Sequence, residues 1–154
     1  MKDTDKSFKL LIKKLQTLGK KTVRAGILNT SETNADGELI ATYAIANEFG
    51  TRDIPARSFM GSTADEQSAK WETSANDIIN KLLIDDAFNP DRSIGILGEM
   101  MVGDIKEKIA SNISPRNAQS TIARKTKGKG GKTTTLIDTG LLRNSIHFEV
   151  IEKS

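Results

Sequence analysis

Residues 45–60 read Ile45-Ala46-Asn47-Glu48-Phe49-Gly50-Thr51-Arg52-Asp53-Ile54-Pro55-Ala56-Arg57-Ser58-Phe59-Met60, and their reading decides the fold. The stretch ends a helix, breaks it and launches another. Upstream, Glu38 to Phe49 carries Leu39, Ile40, Tyr43, Ala44 and Asn47 at helical spacing, and Gly50 stands where a left-handed residue closes a helix. Pro55 forbids helix continuation and keeps Ile54 extended, so Ile54 to Met60 is expected to cross the surface as a fixed strap. Ser62 or Thr63 then caps a long helix to about Asp86, with Asp65 and Glu66 placed for a capping box. Trp71, Ala75, Ile78, Ile79 and Leu82 form its inward face, with Trp71 a core anchor.

Working outward, Phe8, Leu11, Ile12, Leu15 and Leu18 mark one face of an N-terminal helix from about Thr4 to Leu18, stopped by Gly19. Val23, Ala25 and Ile27 alternate in a short strand, Thr22 to Leu28, and Ile146, Phe148 and Val150 alternate in a second near the C-terminus. Half-buried alternation favours antiparallel pairing of the two. After the break at Asn89-Pro90, Asp91 or Ser93 opens another helix to about Asn112, with Ile94, Leu97, Met101, Ile105 and Ile109 inward. Gly95, Gly98 and Gly103 within it each cost about 1 kcal/mol against alanine, which suggests close approach of another backbone. The expectation is an α+β fold: a small antiparallel β-sheet packed against several helices, with long extended loops. A single domain over residues 1–154 carries flexible loops at about 29–37 and 114–135.

Composition narrows the functional classes. With 36% hydrophobic and 5% aromatic residues, the core is aliphatic and thin, so partner subunits are expected to help bury its surface. The absence of cysteine removes disulfides and thiolate metal sites, and a single histidine removes histidine pairs. No metal and no cofactor are expected. The charged N-terminus has no signal-peptide or membrane-span pattern, so a soluble, intracellularly made protein without membrane contact is anticipated. The net charge of +3 is unevenly spread. Residues 108–137 hold Lys108, Arg116, Arg124, Lys125, Lys127, Lys129 and Lys132 without one acid, while the remainder has more acids than bases.

Enzymatic signatures fail on inspection, and no catalytic residue is assigned. The Gly128 to Thr133 run lacks the first glycine of a phosphate-binding loop and a preceding buried strand. Asp138-Thr139-Gly140 occurs once, whereas aspartic-protease chemistry needs two carboxylates sharing a proton. Asp138 or Thr139 reads instead as the cap of a short turn, with Gly140 at the bend and Leu141 and Leu142 inward. His147 falls on the outer face of its strand. The basic loop of Arg116, Arg124, Lys125, Lys127, Lys129 and Lys132 supports an alternative: a small nonspecific nucleic-acid-binding protein, salt-sensitive and without aromatic stacking residues.

Four phrases, Asn47 to Thr51, Ile54 to Phe59, Ser120 to Lys125 and Leu136 to Ile146, occur in an order that resembles the virion-morphogenesis and tail-completion proteins of tailed bacteriophages and prophages. These are small head-tail joining or minor tail proteins. The similarity spans about Ala44 to Val150. It departs at Ser58, where the family often has proline, at Ile113-Ser114-Pro115, where tryptophan is common, and in the lysine-glycine insertion at 127–132. The resemblance implies a non-enzymatic virion protein, made in the host bacterial cytoplasm and sited at the head-tail junction or tail. It also implies a homo-oligomeric ring, expected as a hexamer, that bridges connector, tail terminator or tail tube proteins, with nonspecific DNA contact in the channel. The expected interface residues are Glu48, Phe49, Ile54, Arg57, Phe59, Leu142 and Arg143, with Arg57 or Arg143 pairing an acid such as Glu48 or Asp53. The two loops are expected to order on assembly.

Overall fold

A computed structural model describes residues 4–34, 36–85, 87–118, 122–123, 135–136 and 140–152. Helix α1 (Thr4–Gly19) leads into strand β1 (Lys21–Ile27), followed by α2 (Ile40–Phe49), α3 (Met60–Ile84), α4 (Pro90–Ala110), the short α5 (Leu141–Asn144) and strand β2 (Ile146–Glu152). The two strands pair antiparallel, with Val23 opposite Val150, Ala25 opposite Phe148 and Ile27 opposite Ile146. The alternation in the sequence therefore marks one sheet face, and α4 packs across it. This is an α+β fold: a small two-stranded antiparallel sheet among helices. None of the helices among the described residues is long and apolar enough to cross a membrane.

The core gathers Ile40 and Ala44 of α2, Phe59 before α3, Val102, Ile105 and Ile109 of α4, Leu136, Leu142 of α5 and Ile146 of β2. The sheet locks onto α4 at Gly98: a Cβ there would lie 2.2 Å from Cδ2 of Phe148. The close approach expected of the α4 glycines is thus made at Gly98, by a ring rather than a backbone. Gly95 and Gly103 have no such neighbour. Trp71 is half-buried, and its indole N–H donates to Asp104 Oδ2 at 2.8 Å, which ties α3 to α4. Lys70 and Lys108 add ion pairs to Asp104 and Glu66 across the same seam.

Both long helices start elsewhere than the sequence suggests. Helix α3 begins at Met60, not after Ser62 or Thr63. The hydroxyls of Ser62 and Thr63 donate back to the carbonyls of Ser58 and Phe59, four residues earlier, so they sit inside the helix and cap nothing. Helix α4 begins at Pro90 itself, with Asn89 Oδ1 accepting from the Asp91 N–H at 3.0 Å. Proline suits the first helical position because its missing N–H has no intrahelical partner there anyway. The pair Asn89-Pro90 is a start signal as well as a break.

Helix α1 has the expected bounds, yet its apolar face is not buried. Phe8 is 59% exposed, and Leu10, Ile12 and Leu15 are also exposed. Its C-terminal end reaches the rest of the chain, where Leu15 and Leu18 border an apolar groove of about 510 Å³ with Val23, Trp71, Ile78 and Ile94. The loop after β1 is closed by its own polar groups. Asn34 Oδ1 accepts from the Asp36 and Glu38 N–H groups, and Thr33 bridges Leu39. This makes the described part of 29–37 a tied turn.

Candidate interaction site

The strap and the ends of the two helices it joins form one hydrogen-bonded joint. Helix α2 ends on Gly50 at φ 77°, and a Cβ there would fall 2.8 Å from the Ala56 nitrogen, so only glycine lets the strap fold back this closely. The returning chain satisfies α2's loose end: the Arg57 N–H donates to the Asn47 carbonyl at 2.6 Å, and the Thr51 N–H to the Ile54 carbonyl at 2.7 Å. Thr51 Oγ1 accepts from the Asp53 and Ile54 N–H groups, which closes the turn before Pro55.

Glu48 performs the reciprocal service. Its carboxylate accepts from the Phe59 N–H at 2.8 Å, the Met60 N–H at 3.0 Å, the Gly61 N–H at 2.9 Å and the Ser58 hydroxyl at 2.6 Å. These amides are the unpaired donors at the start of α3, so a negative charge from the last turn of α2 caps the next helix. Burial pushes the Glu48 carboxyl up, but hydrogen bonds from Met60, Ser58, Gly61 and Phe59 outweigh it and hold the group below its ordinary value.

Arg57 turns inward. It is only 7% exposed, and its Nε donates to the Pro115 carbonyl at 2.8 Å. Its terminal nitrogens approach Asn47 Oδ1 at 3.4 Å and the Arg116 carbonyl at 3.5 Å. A delocalised guanidinium satisfied by three oxygens, one from α2 and two from the chain after α4, is a cross-brace between the strap and that chain. The expected pairing of Arg57 with an acid is replaced by these neutral acceptors, because Glu48 is already committed to α3.

Among the other expected interface residues, Phe59 lies in the core and Leu142 beside it, both buried. Phe49 is 76% exposed at the end of α2, and Arg143 is exposed on α5. Ile54 is half-buried. Ile54, Arg57 and Leu142 border one open cleft of about 520 Å³, shared with Tyr43, Arg116 and Leu136. The two sequence phrases, far apart in the chain, thus meet around one cleft. Gly140 at φ 82° makes the bend expected of it, whereas Asp138 and Thr139 lie outside the described residues. So do Arg124, Lys125, Lys127, Lys129 and Lys132 and the Gly128–Thr133 run, and of the basic loop Arg116 alone is placed, exposed, beyond Pro115. His147 is exposed on β2.

Asn112, which carried no signal in the sequence, closes that segment. It adopts φ 56° just after α4, and its side-chain oxygen accepts from the Thr135 N–H at 3.2 Å and hydroxyl at 2.7 Å. The chain matches no protein-family model, no curated protein and no solved structure. Among the described residues there is no cluster of three or more metal-ligating side chains.

Proposed function

We propose that the protein is a non-enzymatic structural subunit of a bacteriophage or prophage virion, acting in tail completion where head and tail join. It assembles with copies of itself as a ring, expected to hold six, and bridges connector and tail terminator or tail tube proteins. It is made in the bacterial cytoplasm and resides in the virion. The observation that carries this reading is that two of the phrases resembling tail-completion proteins, Asn47 to Thr51 and Ile54 to Phe59, build one braced joint, formed by the Glu48 cap, the Arg57 brace and the Gly50 fold-back. That joint holds Phe49 outward and fixes the rim of the cleft.

Head-to-tail ring contacts need two different, complementary surfaces on each subunit. Among the apolar side chains that the described residues expose, Phe8, Leu10, Ile12 and Leu15 form one group on α1 and Ile45 and Phe49 a second on α2, with Leu83 and Ile84 at the end of α3 and Ile96 on α4 also exposed. Helix α1 rests near Ile78 of α3, while α2 sits at its first residues; at 1.5 Å per residue the two lie roughly 25 Å apart along α3. The basic segment beginning at Arg116 would face either the DNA in the channel or an acidic neighbour.

Disruption of the reading frame in a phage that carries it, followed by electron microscopy of lysates, tests the proposal. Unjoined heads and tails are expected, and complementation restores joined particles. Normal particles in normal yield would overturn it. A purified chain that remains monomeric and binds duplex DNA tightly, with steep salt dependence, would favour the nucleic-acid-binding alternative instead.

A further inference from the structure

Among the described residues the sheet has two strands and no neighbour at either edge. Each strand runs seven residues, and in an antiparallel pair every second residue turns its N–H and C=O away from its partner. Among the described residues no backbone or side-chain group of the chain hydrogen-bonds to those outward groups on β1 or β2. An isolated two-stranded ribbon is marginal in water, and open edges of this length invite another strand.

The edges differ in charge. Strand β1 carries Lys21 and Arg24 and no acid; β2 carries Glu149 and Glu152 and no Lys or Arg. Within the chain the opposed residues already match: Arg24 grips Glu149 across the sheet, and Lys21, which is bound by Asp91 of α4, lies opposite Glu152 with its ammonium 3.8 Å from that carboxylate, so Arg24 is the open charge of β1. A basic outer edge on one side and an acidic one on the other are self-complementary only head to tail. Two β1 edges, or two β2 edges, would oppose like charges.

We infer that β1 of one copy adds antiparallel to β2 of the next, so that the strand pairs of successive copies form one continuous sheet around the assembly. The inference rests on the ring reading above and specifies its contact. Each new seam reproduces the chemistry of the internal pair, with an acidic strand flanked by basic strands on both sides. Edge backbone groups gain partners, and closure of the ring leaves no free edge.

The test uses the full chain and the double exchange Arg24→Glu with Glu149→Arg, which preserves the internal ion pair and should keep the wild-type circular dichroism spectrum. The variant is isotope-labelled, mixed with wild type as monomers, and the rings are weighed by native mass spectrometry. Wherever a variant copy meets a wild-type one in a mixed ring, the seam opposes like charges: two carboxylates where the variant supplies β1, two guanidinium groups where it supplies β2. Mixed rings are therefore expected roughly three- to tenfold below their statistical share, while each pure ring forms normally. Statistical mixing overturns the strand-addition inference and leaves the ring reading standing. A wild-type chain that forms no ring at any concentration overturns both. Should the double variant misfold, hydrogen exchange on wild type decides. At least tenfold slower exchange of alternate β1 and β2 amides in the ring than in the monomer is expected, and unchanged exchange refutes the inference.

Discussion

Removing the Glu48 carboxylate gives the sharpest measure of how the joint is held. Glu48→Ala leaves the N–H groups of Phe59, Met60 and Gly61 without their acceptor and frees the Ser58 hydroxyl. The Gly61 amide is exposed and water replaces the lost bond at little cost, whereas the Phe59 and Met60 amides are partly buried, where an orphaned donor costs about 1–3 kcal/mol. Allowing for partial rehydration, the loss should be about 2–4 kcal/mol. In urea this lowers the midpoint by roughly 1–2 M for a chain of this size. Glu48→Gln keeps one acceptor and loses the charge, so about half the effect is expected. The pH dependence has a definite sign. Because the folded carboxyl is held below its ordinary value of 4.5, its contribution is complete above that value and is lost as pH falls through the depressed folded value. The gap between wild type and Glu48→Gln should therefore be full at neutral pH and narrow as pH falls below 4.5. Equal midpoints for wild type and Glu48→Ala, or a Glu48→Gln gap that does not narrow in acid, would refute the cap as the source of this stability.

Four other substitutions probe separate contacts. Gly98→Ala drives a methyl into the Phe148 ring and should cost about 2–3 kcal/mol by thermal melting, partly recovered by Phe148→Leu; an unchanged melting temperature contradicts the packing described. Arg57→Ala removes the brace to Pro115 and Arg116, with an expected loss of about 2–4 kcal/mol and faster tryptic cleavage after Arg116, read by mass spectrometry of timed digests. Trp71→Phe deletes the bond to Asp104 and should lower stability by about 1 kcal/mol in urea titrations followed by circular dichroism. Asn89→Ala removes the α4 cap, with a similar loss of about 1 kcal/mol on the same assay.

What the sequence made legible is what local chemistry controls. The period-two spacing of Val23, Ala25 and Ile27 and of Ile146, Phe148 and Val150 identified both strands, and their pairing followed. Gly50 marked the end of α2 because its backbone conformation excludes other residues. The start of α3 was hidden, since its cap comes mainly from Glu48, more than ten residues upstream, helped by the Ser58 hydroxyl on the Ser62 N–H, and not from Ser62 or Thr63. Arg57 looked like a surface anchor because arginine usually is one; its acceptors, the carbonyls of Pro115 and Arg116, lie nearly sixty residues away. The periodic face of α1 was read correctly as apolar, but periodicity records which side is greasy and not what covers it. Phe49 was expected at an interface and stands exposed, yet Phe59, from the same phrase, belongs to the core.

The bond between Asn112 and Thr135 carries an implication for engineering. It pins together the two ends of a segment of twenty-two residues, 113–134, which near its start also packs Ile113 against the core and receives the Arg57 brace at Pro115 and Arg116. Past such a clasp, loop length is a weak variable, since doubling it costs only about 0.6 kcal/mol in closure entropy. The lysine-glycine run at 127–132 can therefore be shortened, lengthened or replaced by an epitope or fluorophore-labelling sequence with little effect on folding. This makes it a natural place to attach a reporter without altering a residue of either strand or of α2.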